Sequence, residues 1–282
     1  MKAVPTSRAQ RLKARRSRAR RSIAVSAVST VVVLGAIAAV VVLSPGWHDI
    51  RTTFFSWSFF HGSLGGLFSA FWLDVRIFLI VEAIVLALGL LIALVRTLRA
   101  PVLFPLRLVA IAYVDLLRGV PLLILLYLIG FGVPALRFSW LPTDYTVLGG
   151  AALALCYSAY VSEVFRAGIE SVHPSQPAAG LALGLTRTQV LRDVVLPQAV
   201  RRVVPPLLND FIGLQKDTAL VGVLGAVEAF NQSQIDVDAT FNFTPYLVAA
   251  FLFVAITIPL ARFTDWLILR DRRRRQAVGV MA

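Results

Sequence analysis

The 282-residue chain is 58% apolar and only 15% charged, and its mean hydropathy is +0.78. Soluble domains contain about 45–50% apolar and about 25% charged residues, so this composition excludes an ordinary soluble domain. The formal net charge is nevertheless +13. A membrane protein with basic segments beside its spans accounts for both properties.

The composition also excludes several kinds of site. The single cysteine, Cys156, lies in an apolar run, so the sequence predicts neither a disulfide framework nor a cysteine-based metal site. The three histidines lack ligand spacing, and no metal site is expected. None of the three lysines follows a glycine-rich loop. The chain therefore has no Walker A motif and is not expected to bind ATP in that way.

The N-terminal region predicts a retained membrane span behind a basic tail. Residues 1–22 carry nine Lys/Arg and no acid, and residues 23–43 are then free of charge. That apolar run exceeds the roughly 7–15 residues of a signal-peptide core and is long enough for a bilayer, which needs about 20. A basic tail beside a span is typical of contact with anionic lipid and of a cytoplasmic location, in preference to nucleic-acid binding.

Further apolar segments predict five more spans. These segments cover residues 77–95, 108–133, 145–162, 203–227 and 243–261. With the N-terminus inside, six spans place 23 of the 28 Lys/Arg residues in inner segments and both termini in the cytoplasm. The basic asymmetry thus predicts a multi-pass protein of the cytoplasmic membrane.

One inner loop, residues 167–201, has the composition of ordered structure. Ser175 is suited to be an N-cap, and Gly184 is suited to end the short helix that follows it. Thr186 and Gln189 have capping-box spacing for a second helix, which Pro197 is expected to end. Two short helices joined by glycine at a membrane surface favour either a docking element or an interfacial pair that packs on its own protein. The residues alone leave both open.

The same loop carries a resemblance to a known family. Its motif Ala178-Ala179-Gly180, Gly184 and Val194-Val195-Leu196-Pro197 resembles the "EAA" loop of importer-type ABC transporter permeases. Ala178 stands where that family usually has Glu. The match extends to the polar-amino-acid branch through three further segments: Tyr113-Val114-Asp115 with Arg118-Gly119-Val120-Pro121-Leu122; Ala159-Tyr160 with Glu163, Arg166, Gly168 and Ile169; and Leu196-Pro197-Gln198-Ala199 with Lys216-Asp217-Thr218-Ala219-Leu220.

The resemblance implies a fold and a domain organisation. The expected fold is an all-α integral membrane protein with about six transmembrane helices and a cytoplasmic coupling loop, similar to an ABC type I importer permease. The permease core would cover residues 71–269, with the coupling loop at 167–201. Residues 23–70 would form the first span and an extracytoplasmic loop, and residues 1–22 and 270–282 would be basic cytoplasmic tails.

The resemblance also implies a function and partners. Such permeases carry polar amino acids, form a pore with a second permease copy or paralogue, and receive substrate from an extracytoplasmic binding protein. ATP and Mg²⁺ would bind to a separate ATP-binding subunit, so no cofactor is expected on this chain and it is not expected to be an enzyme. The ATPase-coupling residues implied by the match are Ser175, Gln176, Ala178, Ala179, Gly180, Gly184, Leu196 and Pro197.

Charged residues within the predicted spans are the remaining candidates, because ionisable groups in the bilayer are costly. Asp115 and Arg118 are three residues apart, and we expect them to pair beside a helix break at Gly119 and Pro121. Glu163, Arg166 and Gly168 lie at the inner end of the fourth span, and the resemblance implies that they form a structural bracket for the loop in preference to contacting substrate.

A second group of polar residues is a candidate for the substrate pathway, and for each a purely structural role stays open. Lys216 is expected to lie on the pore side because the preceding prolines, Pro205 and Pro206, are expected to disrupt the fifth helix. Its contact with a substrate carboxylate and its pairing with a neighbouring aspartate are alternatives. The candidate pathway residues are Glu82, Asp210, Lys216, Asp217 and Thr218.

Two other transport functions and one enzymatic function are alternatives to an ATP-driven amino-acid permease. A permease for another small polar solute such as an opine fits the same motifs. An ion-driven secondary amino-acid transporter leaves the docking loop unexplained and lacks a visible inverted repeat. An integral-membrane enzyme finds no support, because the chain has neither H-E-x-x-H nor G-x-S-x-G.

Overall fold

The computed structural model describes residues 8–97 and 101–279, with side chains for 22–97 and 101–270. Within those ranges the chain contains helices and no strands. The α-helices are α1 (Arg8–Val42), α2 (Trp47–Phe54), α3 (Trp57–Thr97), α4 (Phe104–Gly119), α5 (Leu122–Ala135), α6 (Tyr145–Glu170), α7 (Ser175–Ala182), α8 (Arg187–Gln189), α9 (Leu196–Asp217), α10 (Ala229–Thr240) and α11 (Thr244–Gly279). Two 3₁₀ segments, Pro101–Leu103 and Thr218–Leu224, and a π-helical turn, Val190–Val195, complete the described structure.

Contacts divide the chain into two units, Met1–Ser56 and Trp57–Ala282. The first unit contains α1 and α2. Every described side chain of α1 is exposed although the helix is apolar, which suits surroundings of lipid. The second unit begins with α3, so the boundary predicted between residues 70 and 71 lies inside a continuous helix.

Fewer segments than the six predicted qualify as apolar membrane spans. Among the described residues, four helical segments are long and apolar enough to cross a bilayer: Ser22–Val42, Trp47–Thr97, Tyr145–Glu170 and Thr244–Arg270. A fifth is counted if α4 and α5, which meet at 109°, form one broken span. The protein is therefore a multi-helix membrane protein, as predicted, with two of its expected spans built differently.

The break between α4 and α5 is where the sequence places it. α4 ends at Gly119, and Val120 is extended with φ −94° and ψ 129°. Pro121 imposes this conformation because its ring disfavours a helical residue before it and it cannot donate a hydrogen bond to the preceding turn. The result is a sharp bend in what the hydropathy alone presents as one span.

The fifth predicted span also differs. α9 continues through Pro205 and Pro206, so the expected disruption at these prolines is wrong. The carbonyls that lose their helical donors belong to Arg201 and Arg202, which are exposed and can be solvated. The irregular backbone comes later, in the 3₁₀ segment, which ends at left-handed Gly225 with φ 100°.

In the second unit, α6 is the central helix. It packs against α3, α4, α5 and α9. One buried cluster joins α3, α6 and α9 through Val85, Val161 and Leu214. A second joins α4, α5 and α6 through residues that include Val114 and Leu126. The four helices around α6 are thereby held in fixed positions. The polar side chains of the candidate site project from these helices and from α6.

Candidate substrate cavity and coupling segment

The segment between α6 and α9 contains two short helical pieces joined by a left-handed glycine. Gly184 follows α7 with φ +84°, as predicted for a C-cap glycine. Thr186 Oγ1 accepts a hydrogen bond from Gln189 N at 3.3 Å, and Gln189 Oε1 accepts one from Thr186 N at 2.8 Å. This is the predicted capping box. The capped turn then runs through the π-helical turn into α9.

Two local predictions for this segment are wrong. Pro174, not Ser175, occupies the N-cap of α7, and Ser175 Oγ lies 2.8 Å from His173 Nδ1 instead of capping the helix. Pro197 does not end the second helical piece but lies in the first turn of α9. A proline is tolerated in a first turn, where its missing N–H removes no intrahelical bond, and the wider π turn before it gives the ring space.

Residues 167–201, named the coupling segment after their predicted role, present an apolar surface. Leu183 is 83% exposed, and Leu181, Leu191 and Leu196 are about half exposed. The implied coupling residues Gln176, Ala178, Ala179 and Pro197 are also exposed. An exposed apolar patch of this kind is typical of a surface that another protein or a membrane covers.

Gly180 is the buried member of the same motif. It packs on the π-helical turn so closely that a Cβ at this position would lie 2.9 Å from Val190 Cγ2. That distance is below ordinary van der Waals contact. The glycine therefore sets how closely α7 approaches the turn, while its neighbours in the motif remain available to a partner.

An ion network lies where α6 meets the coupling segment. Glu163 accepts hydrogen bonds from Arg96 of α3 and from Arg166 Nη2 at 2.6 Å, and Arg118 Nη1 of α4 lies 4.0 Å from its Oε2. Arg166 Nη1 also lies 2.5 Å from Glu170 Oε2. The predicted association of Glu163 with Arg166 is therefore present, and it extends to two further helices.

Close packing fixes the same end of α6 against α9. A Cβ on Gly168 would lie 2.0 Å from Val203 Cγ2, so only glycine permits this approach. Arg202 of α9 donates a hydrogen bond to the carbonyl of Ser171. The two ends of the coupling segment are thus joined to each other, and a force on the segment would reach both helices.

A cavity of about 430 Å³ lies between the α4–α5 break, α6 and α9. Its size falls within the range of about 300–1,000 Å³ usual for small-molecule sites. The wall is formed by Arg118, Gly119, Val120, Pro121, Leu122, Cys156, Tyr157, Tyr160, Asp210 and Asp217. The broken span, the central helix and the charged helix therefore meet at one place.

Charges of both signs line this cavity. Asp217 Oδ2 accepts a hydrogen bond from Tyr157 Oη at 2.7 Å. Asp210 Oδ2 is buried and has no hydrogen-bond partner among the described residues. The guanidinium of Arg118 lies over the ring of Tyr160, 5.6 Å from its centroid.

The N-terminus of α5, at the break after α4, adds backbone N–H groups to the wall of the cavity that contains Arg118. Leu122 opens α5, and the first N–H groups of a helix have no intrahelical acceptors. Together with the positive end of the helix dipole, these groups favour an anion at this wall of the cavity.

Two of the five predicted pathway residues line the cavity, and the other three lie outside its wall. Asp210 and Asp217 line the cavity, and Glu82 lies outside its wall but within electrostatic range of Asp210. Lys216 is exposed and is not in the wall, and the buried Thr218 Oγ1 donates to the carbonyl of Gln215 at 2.9 Å.

The predicted ion pair between Asp115 and Arg118 is wrong. Asp115 is exposed, whereas Arg118 faces Glu163 and Tyr160. The i,i+3 spacing permits a helical pair, but it does not exclude a stronger partner on a neighbouring helix. Arg118 instead links the rim of the cavity to the network at Glu163.

Several site residues were not singled out from the sequence. Tyr157 lies in an uncharged apolar run, where an aromatic residue gives no signal beyond that of a membrane helix; Tyr160 belongs to a matched motif but carried no predicted role. Arg96 pairs with a residue 67 positions away. The basic end of an apolar helix predicts an interfacial position for Arg96, but tertiary contacts alone choose its partner.

Comparisons with families and sequences of known proteins give consistent matches. A family model described as "Binding-protein-dependent transport system inner membrane component" matches residues 85–273. The chain is 34% identical over 205 residues to the Bacillus subtilis (strain 168) protein named "Probable amino-acid permease protein YxeN", covering 72% of this chain and 89% of that protein. It is 33% identical over 174 residues to "Probable glutamine ABC transporter permease protein GlnM" of the same organism, covering 61% and 79%.

Solved structures agree with these matches. One described as "Crystal structure of an amino acid ABC transporter with histidines" is similar with a TM-score of 0.66 at 32% identity, covering 74% of this chain and 95% of that chain. An inward-facing structure of the MetNI methionine ABC transporter has a TM-score of 0.56 at 20% identity, covering 72% and 95%, and supports the fold alone.

Proposed function

Because the chain belongs to the family of binding-protein-dependent transport system inner membrane components, as its motifs predicted, we propose that it is the permease subunit of an ATP-driven importer of polar amino acids. The family consists of transport proteins, and this chain is accordingly a membrane permease. The proposal adds the class of substrate, the energy source and the partners.

The observation that carries the proposal is the charge pattern of the cavity between α4–α5, α6 and α9. A free amino acid brings a carboxylate and an ammonium group, and both must be paired when water is removed. The start of α5 and the Arg118 guanidinium suit the carboxylate. The Asp217 carboxylate, which Tyr157 holds in place, suits the ammonium group. One cavity therefore offers complementary partners to both ends of a zwitterion.

The coupling segment supports an ATPase partner. Its exposed leucines, the rigid Gly180 contact and the capped turn form a stable apolar projection that can fill a cleft on another subunit. The chain lacks a Walker A motif, so ATP and Mg²⁺ would be bound by that partner and no cofactor by this chain. A second permease copy or paralogue would complete the pore.

Arg118 offers a route by which the two sites influence each other. It lines the cavity and also lies 4.0 Å from Glu163, which is bonded to Arg166 in the last turns of α6. A carboxylate in the cavity would compete with Glu163 for Arg118 because both are anions. Substrate binding would therefore loosen one connection to the helix that leads into the coupling segment, which is the differential contact that a two-state mechanism requires.

Reconstitution tests the energy source and the substrate class. The permease is purified from native membranes with whatever copurifies, and labelled amino acids are offered to proteoliposomes. We expect uptake only when an ATP-hydrolysing subunit and ATP are present, with an extracytoplasmic binding protein supplying substrate. Accumulation driven by an ion gradient through the permease alone would refute the proposal.

Orientation is tested separately. We propose that the coupling segment and both termini are cytoplasmic and that α10 lies on the opposite side, beside the binding protein. Leu183→Cys and Asp238→Cys introduce thiols at two exposed positions, in the coupling segment and in α10. An impermeant thiol reagent on intact cells should label the cysteine at 238 alone, and the reverse pattern would overturn the orientation.

A further inference from the structure

The cavity wall contains three charged side chains, Arg118, Asp210 and Asp217. The carboxylate and the ammonium group of an amino acid can pair with Arg118 and Asp217, and Asp210 then has no partner from the ligand. Asp217 already receives a hydrogen bond from Tyr157, and Arg118 already faces Glu163. Asp210 Oδ2 is buried, lacks a hydrogen-bond partner among the described residues, and belongs to the cavity wall. A zwitterion without a charged side chain would pair with the first two groups and leave the third carboxylate alone.

The position of Asp210 makes an unpaired charge expensive. It lies eight residues beyond Arg202, the last exposed arginine of α9, which corresponds to about 12 Å at a rise of about 1.5 Å per residue. Measured from Arg202, Asp210 lies inside a hydrocarbon core of about 30 Å. Glu82 of α3 lies within electrostatic range and adds a second negative charge to the same region. A cation bound in the cavity would stabilise the buried carboxylate of Asp210 and reduce its repulsion with Glu82.

The described cations do not compensate Asp210. Arg118 is directed to Glu163 and Tyr160, and Lys216 is exposed outside the wall. Residues six apart on a helix also point about 120° away from each other, which separates Lys216 from Asp210. Among the described residues no cation pairs with Asp210, so a cationic ligand in the cavity would supply the compensating charge.

The spacing of the two aspartates matches a particular kind of ligand. Asp210 and Asp217 are seven residues apart in α9, so they lie on one face of the helix, about 10.5 Å apart along its axis. The α-ammonium and the terminal cation of an extended lysine lie roughly 6–7 Å apart, and each charge-assisted hydrogen bond adds about 2.8 Å. The sum is about 12 Å, within about 2 Å of the axial separation of the two residues, a difference that the reach of the aspartate side chains can supply.

We propose that the cavity selects amino acids with a cationic side chain, and that Asp210 is the residue that recognises this charge. This inference rests on the proposed function of the cavity as the amino-acid site. Asp217 binds the α-ammonium group, the start of α5 with Arg118 binds the carboxylate, and Asp210 binds the side-chain cation. Every charge in the wall is then paired, which a neutral or acidic amino acid does not achieve.

The test compares ligands of the same shape with and without the side-chain charge. Binding of arginine and of its neutral isostere citrulline to the purified full-length permease is measured by isothermal calorimetry, with glutamate as an acidic comparison. Arginine should bind about 10- to 100-fold more tightly than citrulline, the range expected for one charge-assisted hydrogen bond. Glutamate should bind more weakly than citrulline.

Variants of Asp210 identify the residue responsible. Asp210→Asn should abolish the preference for arginine over citrulline, whereas Asp210→Glu should retain it. Asp238→Asn, which removes an exposed acid in α10, is the matched control and should keep the preference. Thermal unfolding of the Asp210→Asn variant at the wild-type temperature shows that it is folded.

The outcomes separate this inference from the function on which it rests. Equal affinities for arginine and citrulline, or an Asp210→Asn variant that still prefers arginine, would overturn the assignment of Asp210 while leaving the amino-acid site intact. Absence of binding by every amino acid would overturn the cavity as the substrate site, and this inference with it.

Discussion

Replacing Gly184 tests whether the geometry of the coupling segment, and not merely its presence, is needed to hold an ATPase partner. Its φ of +84° is in the left-handed region, and no atom lies within 4 Å of the place where a Cβ would be added. A substitution therefore meets no steric obstacle, and its effect comes from backbone strain alone. For a residue with a Cβ that strain is about 1–2 kcal/mol, and it is greatest for β-branched residues.

The choice of variants follows from this strain. Gly184→Val should disfavour the native turn by about 2 kcal/mol or more, and that shifts the local equilibrium about 30-fold away from the docking geometry. Gly184→Asn adds a side chain of similar size but tolerates the left-handed region. The strain of Gly184→Asp is similarly relieved, so any additional loss of docking in that variant reports its negative charge at the partner surface.

The assay is retention of the ATPase subunit when the permease is captured from detergent-solubilised membranes, normalised to the amount of permease. Gly184→Val should lose most of the partner, Gly184→Asn should keep it, and both should insert into the membrane at normal levels because the turn lies outside the spans. If Val and Asn variants retain the partner equally well, the left-handed turn does not set the docking geometry and the reasoning fails.

Three other substitutions probe the packing beneath the segment and its exposed surface. Glu163→Gln removes the negative charge shared by three arginines and replaces one acceptor oxygen with an amide donor, so the free energy of unfolding of the permease should fall by about 2 kcal/mol. Asp265→Asn, in an exposed pair with Arg262, should change it by less than about 0.5 kcal/mol. Gly168→Ala should cost about 1–3 kcal/mol by overpacking, and Val203→Ala in the same chain should recover part of that loss in thermal unfolding. Leu183→Asp should leave stability unchanged and abolish ATPase copurification, since this side chain is 83% exposed; normal copurification would show that the leucine surface is not the docking surface.

Short-range physics determined much of this protein from its sequence. The apolar runs specified membrane helices, because a bilayer admits backbone only when its polar groups are bonded internally. Pro121 specified the break after α4, since it constrains Val120 whatever surrounds it. The left-handed Gly184 and the box between Thr186 and Gln189 followed from interactions that span three residues or fewer, and the structure contains both.

Tertiary structure decided the partners of the charged side chains. Asp115 is near Arg118 in sequence, yet Arg118 faces Glu163, because helix packing brings that carboxylate to the bend. The same packing sets Tyr157 on Asp217 across 60 residues and leaves Asp210 Oδ2 without a hydrogen-bond partner in the part of the chain that the structure describes. Electrostatic pairing depends on distance in space and on burial, and neither is a property of residue spacing along a helix. The sequence therefore determined where apolar helices form, where the break after α4 lies and where the left-handed turn occurs, while the fold alone determined which described charges are paired.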